Sequence, residues 1–273
     1  MSSGREARLW RVARSSWKFQ KRLSGPFPAW THETFRTAFR VRRTAVRILA
    51  LDTSSDRGTV ALVEDDRAVA VRAYEAKAGH DARAMRLVDE VFAETGWEKG
   101  SLDRVAAGVG PGSFTGLRVG ISIAQGIALA LGKPAVGVGS LRAMCRGVPD
   151  SMPGLRCAFG DARRGDLFAA AYDESGQEAA GPMIVPRVEL VEWIAAMKAQ
   201  TRASAVVLAG TVLSQFEGLD SVYRSEFTDL PHAVYAALVA ARLDPTAAPA
   251  EPEYVREADA IRPNLPPHPV WSK

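Results

Sequence analysis

The sequence predicts a two-lobed α/β protein in which an approximate βββαβα unit is used twice, and three observations carry that prediction. From Arg47 onward, short β-rich runs alternate with longer amphipathic runs, and turn residues separate them. The order of elements then starts again: a strand, a hairpin and a third strand open at Ile48 and once more at Arg156. Each copy also carries an acidic residue where its first strand meets the hairpin, Asp52 and Asp161. The 273 residues, 47% of them hydrophobic, supply ample core for two such lobes. The expected boundaries are a basic extension over 1–46, an N-terminal lobe over 47–145 and a C-terminal lobe over 146–273, whose last segments can return to the first lobe.

The elements follow in order. Ile48 to Thr53 is an apolar strand ending in Asp-Thr-Ser-Ser. Gly58 to Glu64 and Ala68 to Tyr74 form a hairpin around Asp65-Asp66. His80 to Thr95 is amphipathic, with Met85, Leu87, Val88, Val91 and Phe92 on one side, and Gly96 stops it. Val105 to Val109 is a strand, and Gly110-Pro111-Gly112-Ser113 leads into a helix reaching Leu131. Ala135 to Val138 and a short helix over Leu141 to Cys145 close the first copy. The second copy reads as strands at Arg156 to Phe159, Asp166 to Tyr172 and within Gln177 to Val185. A helix follows over Val188 to Lys198, with Leu190, Val191, Ile194 and Met197 inward, then a strand at Ala205 to Ala209 and a helix at His232 to Leu243.

The net charge of +4 hides a segregation of charge. Residues 1–46 carry 11 Lys and Arg against 2 acids, which leaves the remainder at −5. The basic pI therefore belongs to the extension, and the globular part is not expected to bind nucleic acid by charge alone. Three readings of the extension stand open: an arm that touches RNA, an organellar targeting peptide, or a non-native stretch upstream of an initiator at Val46. It lacks the apolar core of a secretory signal. No apolar run appears long enough for a membrane span, since Ser122, Gln125 and Gly126 interrupt Val119 to Leu131. Cys145 and Cys157 form no CxxC pair and read as core thiols in a reducing compartment.

Catalytic motifs are sparse. Ser113 and Thr115 precede a helix and read as caps, because no GxSxG elbow or spaced triad accompanies them. Gly110, Gly112 and Gly116 lack the GK[ST] of a phosphate loop. Asp52 reads as a turn former, with a relic of metal chemistry as the other reading. The four histidines, His32, His80, His232 and His268, have no chelating spacing. Trp97 and Trp193 read as packing residues.

Four segments carry a family resemblance: ILALDTSS (Ile48 to Ser55), GPGSFTGLRVGISIAQGIAL (Gly110 to Leu129), GDARRGDLFAAAYD (Gly160 to Asp173) and PEYVREADA (Pro252 to Ala260). Together they resemble the TsaB (YeaZ) family, over nearly all of residues 47–262. The duplicated unit is similar to the actin, Hsp70 and sugar-kinase fold, in which paired hairpins flank a nucleotide cleft. Family membership implies a cytoplasmic, non-catalytic scaffold for threonylcarbamoyladenosine formation at position 37 of tRNAs reading ANN codons. It implies pairing with a TsaD-like protein, recruitment of a TsaE-like ATPase, and indirect contact with tRNA. A homodimer when the partner is absent is a further expectation, as is the absence of any resident cofactor. The peptidase label attached to such proteins follows from the shared fold. The competing class is an enzyme of that fold: an ATPase, a sugar kinase or a carbamoyl transferase.

The resemblance also assigns residues. Ser140 and Met144 stand where TsaD-like relatives carry two metal-binding histidines, and neither replaces imidazole well. No metal is expected. Asp52, Thr53, Ser54, Asp161, Arg163 and Arg164 form the expected vestigial nucleotide cleft, with weak nucleotide binding at an interface with partners the most it would offer. Gly210 is a lone glycine where nucleotide-binding relatives carry a pair. Gly116, Gly120, Ala124 and Ala128 recur every four residues, which makes one stripe. That stripe would pack on the protein's own sheet or, as the resemblance implies, seat a partner helix. The expected partner-binding set is therefore Gly116, Leu117, Gly120, Ala124, Ala128, Met85, Val88 and Phe92, with Gly120→Leu leaving the monomer folded.

Overall fold

The computed structural model describes residues 45–76, 81–225 and 228–255, with the side chains of residues 81 and 82 left aside. His32, His80, His268, the three tryptophans before residue 45 and the end of PEYVREADA lie outside the described residues. The strands are β1 (Arg47–Asp52), β2 (Arg57–Glu64), β3 (Arg67–Glu75), β4 (Arg104–Gly110), β5 (Ala135–Gly139), β6 (Leu155–Arg163), β7 (Asp166–Tyr172), β8 (Glu178–Pro186) and β9 (Val206–Ala209). The helices are α1 (Asp81–Thr95), α2 (Phe114–Leu131), α3 (Ser140–Arg146), α4 (Leu190–Thr201) and α5 (Ala233–Ala240).

Two sheets result. The first runs β3-β2-β1-β4-β5 and the second β8-β7-β6-β9. In each, the opening strand pairs antiparallel with its hairpin neighbour and parallel with the next strand, β1 with β4 and β6 with β9. The predicted two-lobed α/β duplication is thus present down to strand pairing. Strand β6 runs on to Arg163, four residues past the expected end at Phe159, because the ladder with β7 continues through a bulge between Asp161 and Arg163.

The helices do not stay with their own copies. One face of the first sheet is covered by α1 and α2, through Leu49, Leu51, Val60 and Leu62 against Leu87, Val91, Leu117 and Ile121. Its other face is covered by α5, the last helix of the second copy, through Ala233, Ala236, Ala237 and Ala240 against Ile48, Ala50, Ala61 and Val136. The row of alanines lets this short helix lie close to the strands. In return α3, which ends the first copy, lays Leu141, Met144 and Cys145 on Ala158, Ala162, Phe168 and Ala170 of the second sheet. After α5 the chain returns along β5, with Pro249 bridged to Val136 and the Glu253 N–H donated to the Val109 carbonyl at 2.7 Å.

Three expectations need correction. In α4, Val191 is 63% exposed; Trp193 takes its place, its ring 5.5 Å edge-on from Phe159. Positions 190, 193, 194 and 197 share one helical face and 191 lies off it. The run judged too short for a membrane forms an 18-residue helix, α2, apolar enough by length and composition to span one. Its inner face packs on the first sheet, which is what a core helix does. The third is the small-residue stripe of α2, which is buried within the first lobe. Both cysteines are buried free thiols, and burial pushes Cys157 up to about 12.

Candidate functional site

A cavity of about 600 Å³ opens where the first hairpins of the two sheets face each other, bounded by Ser54, Asp56, Gly112, Ser113, Asp161 and Arg163. Phe159, Phe168, Met144 and Val212 give it an apolar floor, and the return segment adds Glu253 and Tyr254.

The first-lobe wall is built from Asp52 upward. The Asp52 side chain is fully buried and accepts hydrogen bonds from the Ser54 N–H (2.9 Å), the Ser54 hydroxyl (2.7 Å) and the Ser140 hydroxyl (3.2 Å). Room for this carboxylate exists because β4 carries Gly108 beside it; a Cβ there would collide with the Asp52 carboxyl. The Thr53 hydroxyl donates to the Gly116 carbonyl at 2.7 Å. The Ser113 N–H donates to the Ser54 carbonyl at 2.7 Å, and Gly112 allows that approach, since a Cβ would overlap the same oxygen. The Ser113 hydroxyl accepts from the Gly116 N–H at 3.2 Å, so its capping role holds.

The second-lobe wall echoes the first. Asp161 accepts from the N–H two residues on, Arg163, at 2.8 Å, as Asp52 does from Ser54. Such aspartate turns satisfy the backbone where a strand enters its hairpin. Arg163, Arg164 and Gly165 take left-handed φ values of 64°, 56° and 84°. Arg163 then reaches across the cavity to Asp56 at 3.9 Å, but the two side chains are 75% and 92% exposed, so the pair contributes little stability.

Of the six residues expected to form a vestigial nucleotide cleft, Ser54, Asp161 and Arg163 line the cavity. Asp52 and Thr53 do not: they are sealed beneath it by their own hydrogen bonds. Arg164 does not line it either. The turn-forming reading of Asp52 is therefore the one the geometry supports, with Ser140 as an added partner that no local pattern could reveal. Ser140 and Met144 are both buried, the hydroxyl on Asp52 and the thioether in the apolar cluster under the cavity. Among the described residues no three His, Cys, Asp or Glu side chains converge as metal ligands would. Gly210, with φ of 132°, ends β9 where a Cβ would strike the Phe159 carbonyl.

The expected partner-binding residues fall on the other side of their helices. Gly116, Leu117, Gly120, Ala124 and Ala128 of α2, and Val88 and Phe92 of α1, are buried within the first lobe. The stripe lets α2 settle on the sheet, and a Cβ at Gly120 would collide with the Thr53 hydroxyl. Its small residues serve this protein's own packing, which overturns the expectation that Gly120→Leu would spare the fold. Met85, at 42% exposure, is the member of the set that reaches solvent. With Phe114, Arg118, Val119, Ser122 and Ile123 it borders an open, mainly apolar groove of about 640 Å³ along α1 and α2. Arg118 lies 3.8 Å over the Phe114 ring and donates to the Tyr254 hydroxyl at 3.0 Å, which fixes one end of the groove. The same helical period that gave the stripe gives this groove when read half a turn away.

Comparison with known proteins agrees with this architecture. A family model described as TsaD, tRNA N6-adenosine threonylcarbamoyltransferase, matches residues 71–256. The tRNA threonylcarbamoyladenosine biosynthesis protein TsaB of Escherichia coli is 37% identical over 48% of this chain and 58% of its own length. The Bacillus subtilis protein of the same name is 30% identical over 57% of this chain and 67% of its own. The chain thus spans little more than half the length of the first of these relatives. The crystal structure of a Pseudomonas aeruginosa protein with similarity to peptidase YeaZ superposes with a TM-score of 0.63 at 28% identity, over 77% of this chain and all of that one. The chain belongs to the TsaB (YeaZ) family.

Proposed function

We propose that this protein is a non-catalytic subunit in the formation of threonylcarbamoyladenosine on tRNA, and that it docks a TsaD-like transferase through the outer face of α1 and α2. The observation that carries this reading is the groove at Met85, Phe114, Val119 and Ile123. Met85 and Phe114 are exposed there, with Val119 and Ile123 half-buried beside them, next to a core already filled by the stripe, and an open patch of this kind favours association. A TsaE-like ATPase joins the pair, and tRNA contacts are left to the partners because the globular part is acidic. No resident cofactor is assigned to the cavity between the hairpins: Asp52 is spent on structural hydrogen bonds, and Asp161 and Arg163 hold their own turn.

The test is co-purification with a TsaD-like protein and reconstituted tRNA modification, using Met85→Glu and Phe114→Glu, both at exposed positions of the groove. Each variant is expected to keep its melting temperature and to lose both pairing and modification. Undiminished pairing would overturn the docking face. Modification by the TsaD-like and TsaE-like proteins without this chain would overturn the functional reading.

A further inference from the structure

The groove along α1 and α2 carries an uncompensated positive charge. Arg118 is the one charged residue among the 18 of α2, and it lines the groove. Its guanidinium lies 3.8 Å over the Phe114 ring, and its Nε donates to the Tyr254 hydroxyl at 3.0 Å. The two rings stand 5.2 Å apart, tilted by 31°. Tyr254 is held to the first sheet through its neighbour, because the Glu253 N–H donates to the Val109 carbonyl. A long, exposed side chain is thus confined by a ring face and a hydroxyl.

None of these contacts uses the Nη groups. Among the described residues, Arg118 has no carboxylate partner and its Nη atoms have no acceptor. The arginines of α1 differ: Arg83 donates to the Glu75 carbonyl at 2.7 Å, and Arg86 pairs with Glu90 at 3.4 Å. The acids of α1 with described side chains are engaged as well, since Asp89 pairs with Lys99 at 2.8 Å and Glu94 with Arg72 at 2.6 Å. A second copy laid on this face would therefore bring, from those side chains, no carboxylate without a cation of its own.

We propose that Arg118 is the recognition residue of the docking face: its open fork takes a carboxylate on a helix of the TsaD-like partner, whose apolar side chains lie on Met85 and Phe114. This rests on the docking face inferred above and adds the charge that orients the partner along it. The stack has already restricted the guanidinium, so little rotamer freedom is left to lose on binding. An arginine fork meets a carboxylate through two parallel hydrogen bonds, which fixes direction as well as adding attraction. A partner that presented a cation at this end would be repelled. A tRNA phosphate also suits a guanidinium, but the apolar groove beside Arg118 favours a protein helix.

Calorimetric titration of the full chain with the TsaD-like protein, and tRNA binding to the assembled pair, test the assignment. Arg118→Gln should weaken pairing by about tenfold or more, with the melting temperature little changed. Arg118→Glu should abolish pairing, and changing the partner's acidic residues to arginine, one at a time, should restore it at one position. Met85→Glu separates this proposal from the docking face itself. Pairing lost with Met85→Glu but kept at native affinity with Arg118→Gln would overturn the role of Arg118 and leave the docking face standing. Pairing kept in both would overturn the two together. Failure of every partner arginine to rescue Arg118→Glu, or a loss of tRNA binding by Arg118→Gln with pairing unchanged, would overturn the carboxylate as its ligand.

Discussion

Replacing Gly120 and Gly126 by alanine, one at a time, should move stability in opposite directions although both sit inside α2. Each substitution relieves the helix of a glycine, worth about 1 kcal/mol. At Gly126 the new methyl meets nothing within 4 Å, so the gain survives and the variant is about 1 kcal/mol more stable. At Gly120 the methyl meets the Thr53 hydroxyl, which is buried and donates to the Gly116 carbonyl at 2.7 Å. Thr53 must turn or α2 must lift. That forfeits a hydrogen bond worth about 1 kcal/mol and adds overpacking of about 1–3 kcal/mol. The net result is a loss of about 1–3 kcal/mol, and the two variants differ by about 2–4 kcal/mol. Urea unfolding of the isolated proteins reads this directly, and thermal midpoints should separate by several degrees. A Gly120→Ala variant as stable as the native chain would refute the packing of the stripe on the sheet.

Two further outcomes follow from buried polar groups. His232, at the start of α5, is held down at about 4 by burial and then by the Arg57 guanidinium, against an ordinary value of 6.5. Its contribution is complete above pH 6.5 and is lost as pH falls toward 4, because the unfolded chain takes the proton first; the full span is about 3 kcal/mol. Asparagine keeps a side-chain acceptor for the Val234 N–H, so the stability difference between the native chain and His232→Asn should fall through that window in urea titrations; a flat difference would contradict it. Ser140→Ala removes one donor from the buried Asp52 carboxylate and should cost about 1–3 kcal/mol; a loss within measurement error would show that the contact is idle.

The sequence made local order legible and left long-range partnership hidden. Strand and helix positions could be read because their signals, alternation and 3.6-residue periodicity, lie within a few residues. Asp52 and Asp161 could be recognised as equivalent because each sits at the same point of a repeated unit, and each proved to accept from the N–H two residues on. The exchange of α3 and α5 between the sheets carries no such local mark. An alanine-rich helix fits either sheet, and only the course of the chain decides between them. The Ser140–Asp52 bond spans 88 residues, and the glycine that makes room for the carboxylate, Gly108, lies on a third element, β4.

The stripe shows how a correct pattern can point to the wrong surface. Four small residues on one helical face say that something approaches closely, but not what. In α2 the sheet takes that place, and the small side chains are what bring the helix near enough for Thr53 to reach a backbone carbonyl. Once that face is used, the outward side of α2 offers Phe114, Ile123 and Leu129, the last 84% exposed, among polar residues such as Arg118 and Ser122. A partner seated along α1 and α2 would meet Met85 and Phe114, with Arg118 and Tyr254 closing one end. If this is the docking face, specificity would lie in the fit of Met85 and Phe114, its two exposed apolar side chains, into hollows of the partner. For that reason a buried charge at either position is a sharper probe of docking than any change to the stripe.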